Sequence, residues 1–149
     1  DVNAPKLSGD ISLLRHLNFL GVTGENELTG DITKLENLVY LYTDGVLLSG
    51  DIGLKKNLSS MTYIYMDDCA MTEYTSGATW PDARVHIDPD TGYGYSADEI
   101  DNMLIDMANS SSGPTDKNIR LKGASAGRTS ASNDAVSTLE NRGCTVSTN

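Results

Sequence analysis

The chain has 149 residues, 21 acidic against 11 basic, and a formal net charge of −10. The length suits one domain, and the acidity argues against a nucleic-acid footprint, which needs a basic patch. No stretch approaches the roughly 18 apolar residues of a transmembrane helix, and no charged-then-apolar leader opens the sequence, as would equally hold for a secreted chain after processing.

Three near-copies of one phrase dominate the first half: Leu7-Ser8-Gly9-Asp10-Ile11, Leu28-Thr29-Gly30-Asp31-Ile32 and Leu48-Ser49-Gly50-Asp51-Ile52. The spacings are 21 and 20 residues. Each copy is followed by an alternating stretch: Leu17 to Val22, Leu38 to Leu48 and Met61 to Met71. Alternation at period two reads as a strand. Leu38, Leu41 and Thr43 point to one face, as do Met61, Ile64 and Met66. Phe19, Tyr40, Tyr42, Tyr63 and Tyr65 point to the other. The phrase glycine lets the chain turn, and the following Asp can accept from nearby backbone N–H groups.

A period in the twenties with Leu at set offsets is what stacked repeats produce. The pattern resembles the leucine-rich repeats of bacterial cell-surface and phage-encoded proteins over residues 7–71, a little under half of the chain. That resemblance implies an α/β leucine-rich-repeat solenoid with a parallel β-sheet on its concave face. It also implies an extracellular or cell-surface protein. One departure stands out. The family's ladder-asparagine position holds Val46 and Cys69 in the second and third copies, and Glu25 or Asn26 in the first, depending on where its extra residue sits. The resemblance supports a packed thiol at Cys69.

Beyond about residue 71 the repetition becomes irregular. Trp80 to Asp88 reads as a fourth strand entered from a Pro turn. Ser96-Ala97-Asp98-Glu99 is a capping box, and Ile100, Met103, Leu104 and Met107 give a helix one buried face. Asn118 to Gly123 reads as a fifth strand. A second helix runs from an N-cap at Ser132 to Arg142, with Gly143 as its stop, and Cys144 to Ser147 forms a sixth strand. Strands alternating with helices give parallel pairing. The single domain, residues 1–149, is thus expected to hold regular repeats over about 7–70 and enlarged, helix-bearing repeats that cap it over about 71–149. Asp1 to Lys6 read as the end of an earlier repeat, leaving an N-terminal edge open to self-association. In this register Cys69 and Cys144 lie three strand steps apart, beyond bridging distance, so both are expected unpaired.

Several segments invite a chemical reading and do not sustain it. Asp88, Asp90 and Glu99 sit at positions one, three and twelve of a calcium-loop pattern, but Gly92 and Tyr93 occupy positions five and six, where a ligand and a glycine belong. A turn followed by a helix cap is the better reading. Gly123-Ala124-Ser125-Ala126-Gly127 lacks the lysine of a phosphate loop. His16, on a connection, and His86, on a strand, fall in different repeats with no paired nucleophile, and zinc spacing is absent. Asp67-Asp68 reads as a solvated turn. No catalytic residue, metal or cofactor is expected.

The candidate site is instead the outward column: Phe19, Tyr40, Tyr42, Tyr63, Tyr65, Arg84, His86 and Arg120. Tyr and Arg concentrate binding energy at interfaces, although cross-strand aromatic pairs also stabilise sheets without binding anything. The column suggests a non-enzymatic module that binds a protein or glycan. The alternative is a structural or assembly segment of a larger surface or phage protein.

Overall fold

A computed structural model describes residues 7–24 and 26–149, so Asp1 to Lys6 and Glu25, named above, lie outside the described residues. The alternating stretches form strands β2 (Phe19–Val22), β4 (Tyr40–Asp44) and β6 (Tyr63–Cys69), while the repeated phrases form β1 (Ser8–Asp10), β3 (Glu27–Asp31) and β5 (Leu47–Ser49). Then follow β7 (Arg84–Pro89), helix α1 (Ala97–Asn109), β8 (Asn118–Leu121), helix α2 (Asn133–Asn141) and β9 (Thr145–Thr148).

The expected leucine-rich-repeat solenoid, with one parallel sheet on a concave face, is corrected. The chain is α/β, but its strands form two parallel sheets, one of three strands in the order β1-β3-β5 and one of six in the order β2-β4-β6-β7-β8-β9. The physical reason lies in the phrase itself. Its residues are extended before they turn, and each copy pairs with the next at an offset of two residues, Gly9 beside Leu28 and Gly30 beside Leu48. Reading the phrase only as a turn overlooks this second ladder.

The turn comes one residue later. Asp10, Asp31 and Asp51 each accept from the backbone N–H two residues on, at 2.8 Å, and so cap short 3-10 helices at Ile11–Leu13, Ile32–Lys34 and Ile52–Leu54. The isoleucine after each Asp is buried. Gly50 has φ +101°, and a Cβ there would collide with the Asp31 carboxylate of the preceding copy. Conformation and close approach both require glycine at that position.

Inward residues of the six-stranded sheet alternate as the sequence suggests. Leu41 and Thr43, Ile64 and Met66, Val85 and Ile87, and Ile119 and Leu121 are all buried. All but Thr43 join one apolar cluster running from Ile11 to Cys144 that includes Ile100, Met103, Leu104 and Met107 of α1 and Leu139 of α2. Ser96 and Glu99 form the capping box. Ser132 stands at the N-cap of α2 but makes no cap bond; its hydroxyl donates instead to Asp101 at 2.5 Å. Gly143, at φ +81°, ends α2, and the Cys144 N–H returns to the Leu139 carbonyl at 3.0 Å in a left-handed stop.

Trp80 to Ala83 do not extend the fourth strand, because Trp80 docks on α1 rather than on the sheet: its N–H donates to the Ser110 hydroxyl at 2.8 Å. Asp67 is part of β6, not a turn, and Asp68 follows at a register shift with φ +54°. Both cysteines are free and buried, and burial pushes the Cys69 thiol up to about 12. The first-copy asparagine, Asn26, does bond along the chain, accepting from the Leu7 N–H at 3.1 Å and donating to the Thr23 carbonyl at 2.9 Å.

Candidate functional site: a mixed aromatic and basic face

Parallel pairing places the outward side chains of the six-stranded sheet in rows across the strands. In the first row Phe19 lies beside Tyr40, Tyr40 beside Tyr63 and Tyr63 beside Arg84. The row ends with Asn118 beside Thr145. In the second, Gly21, Tyr42, Tyr65, His86, Arg120 and Ser147 are neighbours in that order. A third row holds Asp44, Asp67 and Asp88. All eight candidate residues therefore fall on one face in two adjacent rows, aromatic at the β2 end and basic at the β8 end.

The rings stack face to face. Phe19 and Tyr40 have centroids 4.5 Å apart with planes 7° from parallel, and Tyr40 and Tyr63 are at 4.8 Å and 9°. In the second row Tyr42 and Tyr65 stack at 4.6 Å, and Tyr65 covers His86 at 4.0 Å. These distances follow from the ~4.8 Å spacing of paired strands. Identical rings in register have little choice but to stack. The Arg84 guanidinium carbon lies 6.0 Å from the Tyr63 ring centre and extends the first row by a cation–π contact. Phe19, at the end of the stack, is 61% exposed, whereas the four tyrosines are half-buried.

His86 departs from the expectation of an open face residue. It is buried beneath its neighbours, with its Nε2 3.5 Å from Asp88 Oδ2 and 4.0 Å from Asp67 Oδ2, and that nitrogen has no hydrogen-bond partner among the described residues. Burial lowers its pKa, against the pull of Asp88 and Asp67 in the other direction. Asp88 is committed to other groups. Its Oδ2 accepts from Arg120 Nε at 2.7 Å and forms an ion pair with Nη2 at 2.5 Å, and its Oδ1 accepts from the Lys122 N–H at 3.1 Å. Burial, then the charge of Asp67, raises the Tyr65 phenol pKa.

Asp67, His86 and Asp88 bring three ligand-type atoms within 4.8 Å of one another. The cluster is not visible in the sequence, where Asp67-Asp68 has the look of a turn; it forms because Asp67 lies in β6 beside Asp88 of β7. A cation there would compete with Arg120 for the same Asp88 oxygen. The three acids of the calcium-loop pattern are dispersed among other tasks. Asp88 pairs with Arg120, Asp90 accepts from the Thr91 N–H at 2.6 Å, and Glu99 caps α1 while accepting from the Tyr74 N–H at 2.9 Å.

At the basic end a pocket of about 250 Å³ is bordered by Arg84, His86, Asn118, Arg120, Thr145 and Ser147. Sequence spacing places the two arginines on this face, but the polar rim from β8 and β9 depends on the strand order. His16 is exposed on its connection, away from the rows. No helix among the described residues is long and apolar enough to cross a membrane.

The fold and the face define an α/β protein of two parallel sheets that presents stacked aromatic rings beside a basic pocket. The chain matches no protein-family model, no curated protein and no solved structure, so the likeness to leucine-rich repeats rests on the repeated phrase alone.

Proposed function

We propose that the chain is a non-enzymatic binding module and that the outer face of its six-stranded sheet binds a protein. The observation that carries this reading is the stack. Each tyrosine ring covers the face of the next, so edges and hydroxyls, not ring faces, remain for a partner. A sugar ring stacks on an aromatic face, whereas a protein surface makes use of edges, hydroxyls and rim charges. Tyr supplies rigid, amphipathic contact area at low entropy cost. The order already built into the stack lowers the cost of association further.

A displayed library of random peptides, selected on the immobilised protein, supplies a probe. The double variant Tyr42→Ser with Tyr65→Ser is expected to lose binding of the selected peptides by tenfold or more while still melting cooperatively. Full retention of binding in the folded double variant would refute the reading.

A second reading, an assembly role, is favoured by one feature. Leu7, Leu13, Leu14 and Phe19 are each more than half exposed and all fall in the first copy, in or beside β1 and β2. Self-association through these outer strands would bury them. Sedimentation is then expected to show concentration-dependent dimers that Leu13→Ser with Phe19→Ser abolishes. A monomer at all concentrations would eliminate this reading.

A further inference from the structure

Building on the protein-binding reading, we propose that the pocket at the β7–β9 end of the face receives the carboxylate of an Asp or Glu side chain of the partner. The chain carries a net charge of −10, yet two guanidiniums border this one concavity. Arg84 is exposed and has no carboxylate partner among the described residues; its one contact of note is the Tyr63 ring. Arg120 directs Nε and Nη2 at Asp88, which leaves Nη1 without a protein partner among the described residues. The side chains of Asn118, Thr145 and Ser147 complete the rim and make no hydrogen bond to any described residue. Most of the pocket's side-chain donors are therefore unspent and in reach of solvent.

Charge and geometry select the ligand. Arg84 and Arg120 border the pocket itself, while Asp88 and Asp67 lie behind it beside His86. A carboxylate brings one negative charge to the two guanidiniums, whereas a phosphate dianion would bring two and meet more repulsion from those acids. Arg84 and Arg120 lie on adjacent strands, offset by two residues, so their Cα atoms are about 8 Å apart. Two long side chains at that separation can converge on one planar carboxylate, the group whose shape the guanidinium fork fits best. The tyrosine rows run directly into the pocket, so one partner segment can lie along the rings and place its acid at the basic end.

The test uses peptides selected from the same random library. Peptides retained by the wild type are expected to be enriched in Asp and Glu over the unselected pool, against the repulsion of an acidic protein. Replacing the acid of a selected peptide by its amide should weaken binding roughly tenfold. The same replacement should matter little to Arg84→Gln, a change at an exposed residue that leaves the Asp88 pair intact. Peptides that need Tyr42 and Tyr65 but show no acid enrichment and ignore Arg84→Gln would overturn the carboxylate proposal and leave the protein-binding reading standing. Acid enrichment that persists unchanged on Arg84→Gln, or tighter binding when phosphoserine replaces the acid, would also overturn it. A library that yields no peptide above a folded control would overturn both.

Discussion

Trp80→Ala is expected to destabilise the protein by about 3–5 kcal/mol, the range for truncating a fully buried large aromatic side chain. In a chain of this size that corresponds to a melting temperature lower by roughly 10 °C or more. Trp80 is completely buried, and it anchors the irregular segment between β6 and β7 to α1. Its indole N–H donates to the Tyr74 hydroxyl at 2.9 Å, which donates to Asp106 at 2.6 Å. Asp106 also accepts from the Gly77 and Ala78 N–H groups. Burial, reinforced by the bond to Asp106, pushes the Tyr74 phenol pKa well up. Loss of the indole leaves a cavity and frees the connection that aligns β7 beside β6. Arg84 and His86 begin on that strand, so the destabilised variant should also bind selected peptides more weakly at temperatures where it is still folded. A calorimetric melting temperature indistinguishable from that of wild type would contradict this account.

Asp101→Ala is expected to cost about 1–3 kcal/mol, because it orphans the buried Ser132 hydroxyl and removes the acceptor of the Thr129 donors. Asp101 accepts from the Thr129 N–H at 3.0 Å and from the Thr129 and Ser132 hydroxyls at 2.5 Å each. These bonds fasten α1 to the start of α2. Burial acts to raise the Asp101 pKa, but the hydroxyl and backbone donors of Ser132 and Thr129 outweigh it, so the folded value lies below the ordinary one. The folded state therefore binds this proton less readily than the unfolded chain does. The stability contributed by ionisation is fully present above the unfolded pKa of about 3.9 and is lost as pH falls through the lower folded value. Denaturant melts should show a constant gap between wild type and Asp101→Ala from pH 5 to 8, on the scale of that linkage, and a narrowing gap in more acidic buffer. A gap that widens on acidification would contradict the assignment.

The register of the face could be read from the sequence because the alternating stretches align without a gap. Setting Leu38-Val39-Tyr40-Leu41-Tyr42 against Met61-Thr62-Tyr63-Ile64-Tyr65 places Tyr40 beside Tyr63 and Tyr42 beside Tyr65, as the strand pairs do. The capping box and the apolar stripe of α1 were equally visible, since both depend on residues within a turn or two of one another. What escaped depends on distant contacts. The three-stranded sheet forms only because phrases about 20 residues apart lie side by side, and a single phrase with Gly and Asp looks like a turn. The burial of His86 comes from the Tyr65 ring and the groups around it, which no local pattern reveals. Asp101 and Asp106 look like solvent-facing helix positions until the loops before α2 and β7 fold over them.

The central claim is that the outer face of the six-stranded sheet is where a protein partner docks. The most direct measurement is an amide chemical-shift map of the labelled protein titrated with a peptide selected on it. The account predicts saturable shifts along β4, β6, β7 and β8, centred on Tyr42, Tyr65 and Arg120. Shifts confined to β1, β3 and β5, or to the exposed sides of α1 and α2, would contradict it.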